Sequence, residues 1–294
     1  MKDSVYWIII PVHNRRDTTM RCLKNLSFVG AFLSYGVIVV DDGSSDGTAD
    51  EVRSHFPEVL IVEGDGQLWW AGATELGMRE AISQSNCKGV IWLNDDCLPE
   101  EGTLEKLTKF VDDYPDSVVG GVTFTGLYGV YSGFSKVAWG LRKVRLPTEE
   151  EFLECDSLNG NCVVFSKMLI DALGCDLRQK QLPQYFGDSY YTLRAKEEGF
   201  RVCVSGSAKC QGIDERDEKR KSWIQSSIPM GELWDDRRKK GSALYWPARA
   251  YFFPRFWGLN GWLIAIAPYV RMFLIASVRL MPLSLRKFLF KGRQ

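Results

Sequence analysis

Histidine is nearly absent from this sequence: 294 residues contain two, His13 and His55. Nothing beyond residue 55 can offer an imidazole as a base or a metal ligand. The eight cysteines, at 22, 87, 97, 155, 162, 175, 203 and 210, form no Cys-x-x-Cys pair. They indicate neither a zinc site nor a disulfide framework, and free thiols in apolar runs suit a reducing cytosol. No Gly-x-Gly-x-x-Gly follows the first strand, which argues against a dinucleotide fold, and a Walker A loop is missing. Acid is absent after Asp236. Residues 237–294 carry twelve Lys/Arg and no carboxylate, so a net charge of zero hides −12 in the first 236 residues beside +12 in the tail. That asymmetry suggests an acidic body with a basic segment that meets an anionic surface. The tail also lacks the ~20 apolar residues of a spanning helix. Its uncharged stretch, residues 256–270, is fifteen long and interrupted by Gly258, Gly261 and Pro268. Trp246, Trp257 and Trp262 among basic residues fit a segment lying in the headgroup region, against the plainer reading of a helical pair packed on the body or at a dimer interface. The N-terminal residues do not read as a signal peptide, because the apolar part is too short and has no small-residue cleavage site.

What is present has ordinary globular composition, 45% hydrophobic and 25% charged. Strand-like runs at 5–10, 36–40, 59–62 and 90–93 alternate with helical stretches, which predicts a mostly parallel sheet with its loops gathered on one edge. Three of those loops are rich in Asp, Asn, Gly and Arg. The first reads Val12-His13-Asn14-Arg15. The second reads Asp41-Asp42-Gly43-Ser44-Ser45-Asp46-Gly47-Thr48. The third, inside residues 88–99, stops a buried strand on Asn94-Asp95-Asp96. Carboxylates at the carboxyl edge of an open α/β sheet sit where ligands bind, and their hard oxygens suit Mg²⁺ or Mn²⁺ with phosphate in the remaining positions. A strand-end carboxylate such as Asp41 can accept from a base imide N–H. The bland alternative is helix capping, by Asp46 for the next helix and by Asp95 or Asp96 for a helix starting near Glu100.

Together the motifs Ile-Ile-Pro-Val-His-Asn-Arg, Val-Val-Asp-Asp-Gly-Ser-Ser-Asp-Gly-Thr and Leu-Asn-Asp-Asp resemble those of glycosyltransferase family 2, over roughly residues 4–210. The resemblance implies the GT-A fold and is strongest toward rhamnosyltransferase-type enzymes of bacterial surface-polysaccharide assembly, including O-antigen. It implies that Pro11, Val12, Asn14 and Arg15 line the nucleotide pocket, and that Asp41, with Asp42 and Gly43 in the same motif, meets the base. Asn94-Asp95-Asp96 falls on the Asp-x-Asp site, with Asp96 the ligand of Mg²⁺ or Mn²⁺ and Asp95 near the ribose or diphosphate. Asn94 stands where that motif begins with Asp. Residues 67–74, Gln-Leu-Trp-Trp-Ala-Gly-Ala-Thr, occupy a further nucleotide-side loop. Trp70 and Gly72 join the candidate set, and one of Trp69 and Trp70 is expected in the core and the other in the pocket wall.

On the acceptor side, Asn159-Gly160-Asn161 resembles the strand beneath the donor sugar. Asp188 matches the family's base, and Arg194 an Arg six residues later. Gly187 stands where relatives carry Glu, and Cys210 where many carry His. The implied enzyme is an inverting, metal-dependent glycosyltransferase taking L-rhamnose from dTDP-L-rhamnose, or a sugar from UDP, to a lipid-linked oligosaccharide. It would be cytoplasmic and peripheral on the inner face of an anionic membrane, with a homodimer as a further partner state and no nucleic-acid partner. The competing reading is a non-catalytic nucleotide-sugar-binding or scaffold protein with a degenerate site. A processive synthase is disfavoured by the missing Gln-x-x-Arg-Trp, and a sugar-phosphate nucleotidyltransferase by the lack of a Gly-rich first loop. The expected division is a catalytic domain over 1–212, split near 123 into nucleotide and acceptor halves, a charged linker at 213–241, and C-terminal helices at 242–294.

Overall fold

The computed structural model describes residues 5–126, 129–213 and 230–282. Most of the expected linker, residues 214–229, and the end of the tail lie outside the described residues. The chain forms two compact units, residues 1–137 with 141–214, and residues 138–140 with 215–294.

The body begins as the hydropathy pattern predicts: β1 (Val5–Val12), α1 (Arg16–Phe28), α2 (Ala31–Ser34), β2 (Gly36–Asp41), α3 (Thr48–His55), β3 (Leu60–Glu63), α4 (Trp69–Ser83) and β4 (Cys87–Leu93). The second half carries β5 (Cys97–Pro99), α5 (Thr103–Asp113), β6 (Ser117–Thr125), β7 (Gly129–Tyr131), β8 (Gly133–Val137), β9 (Gly140–Lys143), β10 (Phe152–Glu154), β11 (Ser157–Leu158), β12 (Cys162–Ser166), α6 (Lys167–Leu173), α7 (Gly187–Glu197) and β13 (Arg201–Gly212). The main sheet runs β10-β13-β6-β12-β4-β1-β2-β3. Its first-half strands are all parallel. In the second half β12 is antiparallel to both neighbours, so the whole is a curled mixed α/β sheet. The hairpin expected in residues 126–145 is β8–β9, which pairs with β11 in a separate three-stranded sheet; residues 127–128 lie outside the described residues.

Strand alternation divides the core into two layers. Ile8, Ile10, Leu93 and Val164 face α1 and α5, while Ile9, Val90, Trp92 and Phe165 face α4, α6 and α7. Each fully buried side chain of this size contributes about 1.5–3 kcal/mol, so the sheet edge is anchored by its own strands. Two registers place the site. Val12 pairs with Asp41, which brings the first two loops to the same level. Cys162 pairs with Leu93, which sets Asn161 opposite Asn94.

The second unit holds α8 (Met230–Asp235) and α9 (Trp246–Arg279). By length and composition α9 would qualify as a membrane span. However, Gly258 has φ 56° and ψ −131°, a backbone geometry that only glycine adopts readily, and it breaks α9 into two limbs. Arg249 on the first limb donates to the carbonyls of Ala265 (3.0 Å) and Ile264 (2.9 Å) on the second. The limbs therefore form a helical hairpin.

Candidate active site

Three loops meet at the carboxyl edge of β1, β2 and β4, and their polar side chains mostly bind one another. Asn14, at φ 51°, donates its N–H to Ser44 Oγ (2.8 Å) and accepts at Oδ1 from Ser45 N–H (2.8 Å). His13 Nδ1–H donates to the Asp42 carbonyl at 2.6 Å. Asp42, expected at the nucleotide, is committed to its own scaffold. Its two carboxylate oxygens accept from Gly66 N–H and Trp69 N–H, both at 2.8 Å, and so fix the loop leading into α4. Asp41 accepts from Ser44 N–H at 2.8 Å. It lines a cavity of about 370 Å³ with Gly43, Ser44, Ser45, Arg53 and Gly64.

Neither Asp95 nor Asp96 is a helix cap, because α5 starts at Thr103 and Gly102 occupies the cap position. Arg15 Nε donates to Asp95 Oδ2 at 2.8 Å and its Nη2 to Asp96 Oδ2 at 3.2 Å. Thr19, four residues along α1 from Arg15, adds its hydroxyl to Asp95 Oδ2 at 3.3 Å. The Asp95 side chain is 6% exposed and that of Asp96 39%, so Asp96 is the carboxylate that an incoming ligand can reach. Asn94 is occupied on both sides: its Oδ1 accepts from Trp70 Nε1–H (2.8 Å) and its Nδ2 donates to Asn161 Oδ1 (3.0 Å). No cluster of three or more His, Cys, Asp or Glu able to hold a metal exists among the described residues. One reachable carboxylate suits an ion that keeps water and phosphate oxygens in its shell, as Mg²⁺ and Mn²⁺ do with nucleotides, and does not suit a resident all-protein site.

Trp70 is the tryptophan on the site side. Its ring stands edge-on to Trp92 at 5.6 Å, and its indole N–H points at Asn94. A Cβ on Gly160 would lie 2.5 Å from the Trp70 ring, so this loop needs glycine for the approach. Trp69 adopts φ 57° and buries its indole nitrogen without a partner. Gly72 packs within α4 against the Gln179 side chain. Pro11 and Val12 end β1, and the Val12 carbonyl accepts from Asp42 N–H at 2.9 Å.

Asp188 lies in the first turn of α7, whose cap position belongs to Phe186. Its Oδ2 accepts from Gly160 N–H at 3.0 Å and its Oδ1 from Ser189 N–H at 2.6 Å. Burial pushes its carboxyl above the ordinary aspartate range, outweighing those hydrogen bonds. Through Gly160, Asp188 belongs to the same network as Asn161, Asn94 and Trp70; Asn159 precedes that junction, half-buried. Arg194 is not brought to this cluster: its guanidinium donates to the Leu173 carbonyl at 3.4 Å and lies 5.7 Å over the Tyr190 ring. Cys210 is fully buried in β13 beside Cys162 and Cys97. Its closeness to those two thiols and its burial raise its pKa well above the ordinary range, so it stays a neutral thiol. Thr19 and the Asp42 scaffold role were missed from sequence. The i, i+4 spacing of Arg15 and Thr19 carried a signal for the first, but nothing local marked the second.

The sequence model described as Glycosyl transferase family 2 matches residues 7–173, more than half of the chain. The chain belongs to glycosyltransferase family 2. Glycosyltransferase AglE of Haloferax volcanii is 32% identical over 123 residues, which cover 40% of this chain and only 39% of AglE. Among solved structures, GalNAc-T7 with UDP, GalNAc and Mn²⁺ superposes with TM-score 0.59 at 12% identity, covering 90% of this chain and 54% of that one. Staphylococcus aureus TarS 1-349 with UDP-GlcNAc gives 0.55 at 13%, covering 91% and 81%. The mannosyltransferase PcManGT of Pyrobaculum calidifontis, with GDP-Man and Mn²⁺, gives 0.53 at 16%, covering 96% and 82%. At these identities the structural matches establish the GT-A fold of this family 2 chain and nothing further.

Proposed function

We propose that this glycosyltransferase moves a sugar from a nucleoside diphosphate donor to a hydroxyl of a lipid-linked glycan, with inversion at the anomeric carbon. The observation that carries the reading is the convergence on one sheet edge of Asp41 beside an open cavity, the Arg15–Asp95–Asp96 cluster, and Asp188 anchored on Gly160. Asp41 takes the base. Arg15 and Asp96 hold the diphosphate together with Mg²⁺ or Mn²⁺, which offsets charge on the leaving diphosphate when bound. Asp188 accepts the proton of the acceptor hydroxyl as its oxygen bonds to the anomeric carbon and the carbon–oxygen bond to the diphosphate breaks. One displacement gives inversion. UDP-GlcNAc in the TarS structure, GDP-Man with Mn²⁺ in PcManGT, and UDP with Mn²⁺ in GalNAc-T7 support a nucleotide-sugar and a divalent ion. The likeness of the three motifs to rhamnosyltransferase-type enzymes supports dTDP-L-rhamnose as donor and polysaccharide assembly as the setting. Eight free, buried cysteines support a cytoplasmic site, and the +12 tail supports a place on the inner face of the membrane. In this reading residues 1–212 are the catalytic domain, 213–241 a linker and 242–294 the membrane-facing segment.

The test is a thermal-shift and calorimetric panel of nucleoside diphosphates and nucleotide sugars with and without Mn²⁺. Diphosphate binding strengthened by Mn²⁺, with the strengthening lost in Asp96→Ala, is the expected result. No diphosphate binding, or an unchanged metal response in Asp96→Ala, overturns the site assignment.

A further inference from the structure

Gly258 folds α9 so that a twelve-residue limb, 246–257, lies against a 21-residue limb, 259–279. The pairing follows from the sequence. Pro268 has no N–H, so the Ile264 carbonyl one turn earlier loses its helical donor. Arg249 supplies the missing donor from the facing limb at 2.9 Å. Tyr269 donates its hydroxyl to the Leu244 carbonyl and packs edge-on against Trp246 at 5.5 Å. These contacts occupy the inner face of the second limb, with Ala265 and Met272 buried there.

The outer face is left apolar and open. Leu259 is 87% exposed, Leu263 58%, Ile266 41%, Val270 51% and Phe273 69%. Their spacing of three and four residues makes one continuous stripe along the limb. Arg255 and Arg271 are exposed on the same hairpin, and no carboxylate follows Asp236.

We propose that this stripe lies in the plane of an anionic membrane, inserted to a shallow and uniform depth, and that the hairpin does not cross the bilayer. The proposal rests on the membrane reading above and adds the element, the face and the mode. The first limb spans about 18 Å, short of a hydrocarbon core of about 30 Å. Crossing by the second limb would draw Arg271, and Arg249 paired to the Ile264 and Ala265 carbonyls, into that core, at a cost the interfacial geometry avoids. A second copy is a poorer occupant, because it would set one +12 tail against another. An anionic surface complements both the stripe and the charge.

The test uses the full chain with nitroxide labels at Leu259→Cys, Ile266→Cys and Phe273→Cys, since the native cysteines are buried. Vesicles are phosphatidylcholine with phosphatidylglycerol. In-plane insertion gives the same depth at all three labels, whereas a spanning limb gives a ramp of about 21 Å over those 14 residues at 1.5 Å each. The double variant Ile266→Glu/Phe273→Glu should lower vesicle partition by roughly tenfold or more. Leu33→Glu, at an exposed apolar position of α2, should leave it unchanged. A depth ramp, or a double variant that partitions like the parent, overturns the hairpin proposal and leaves membrane association standing. Failure of the parent chain to bind these vesicles overturns both. Labels shielded from lipid together with a doubled mass in light scattering assign the stripe to a second copy and also overturn the proposal.

Discussion

At the edge proposed to take the donor, the acidic groups already have partners. Arg15 bridges Asp95 and Asp96, and Asp42 gives both carboxylate oxygens to main-chain N–H groups. Across β4 and β12, Asp188 takes its hydrogen bonds from the main chain of Gly160 and Ser189, and burial raises its pKa. The first region is built to hold charge in a fixed frame. The second keeps a carboxylate desolvated, which is the environment of a proton acceptor. The two regions should therefore fail differently when altered.

The largest contrast is expected at Asp188. Asp188→Asn keeps the size of the side chain and one acceptor oxygen, but it cannot take up the hydroxyl proton. Turnover should fall by about 10²–10⁴-fold, the usual cost of losing a general base, while donor affinity stays near that of the parent. The parent's rate should fall as pH drops through the raised pKa of Asp188, and that limb of the profile should vanish in the variant. Stability gives an independent readout. The folded chain holds the Asp188 proton more tightly than the unfolded chain does. That contribution is full below the ordinary aspartate value of about 3.9 and is lost as pH rises through the raised value. The Asn variant does not ionise, so the stability difference between variant and parent should move in the variant's favour as pH rises from acid to neutral, whatever the cost of the one main-chain bond that Asn cannot accept. Near-parent turnover would leave Asp188 as a frame residue like Asp42.

An intermediate effect is expected at Asp42, where the comparison can be broken from the other side. Asp42→Ala leaves the N–H groups of Gly66 and Trp69 without their acceptor and frees a loop that holds Trp69 at φ 57°. Two lost charge-assisted hydrogen bonds at about 1.5–3 kcal/mol each should appear as a lower Tm. Nucleoside diphosphate affinity, measured by calorimetry, should weaken roughly tenfold or more as Asp41 and Gly43 lose their support. Unchanged affinity would mean that the loop is not part of the nucleotide site.

How much of this was visible in the residues differs between the regions as well. The parallel strands and their polar ends were legible because short apolar runs rich in strand formers, closed by Asp and Asn, are local signals. The antiparallel insertion of β12 was not, since it depends on long-range pairing. Asp95 and Asp42 were read as ligand contacts from their motifs. That they face Arg15 and the main chain of a neighbouring loop is a tertiary fact with no local spacing behind it. The tail's composition pointed to an interfacial segment or a packed helical pair. The pairing through Arg249 required knowing that Gly258 reverses the chain.

The smallest expected effect lies on the seam between the two regions. Trp70 donates its indole N–H to Asn94, Asn94 donates to Asn161, and Gly160 N–H reaches Asp188. Trp70→Phe keeps an aromatic ring against Trp92 and Gly160 but removes the donor, leaving Asn94 Oδ1 half-buried and unpaired. The loss should be about 1 kcal/mol, read as a modest drop in Tm. If the seam transmits position as well as stability, Asn94 relaxes toward the cleft, and turnover falls by no more than roughly tenfold with donor affinity unchanged. A fall in donor affinity with turnover intact would instead place the Trp70 ring against the bound nucleotide-sugar. The seam would then belong to the donor edge, and the division between the two regions would have to be drawn between Asn161 and Gly160.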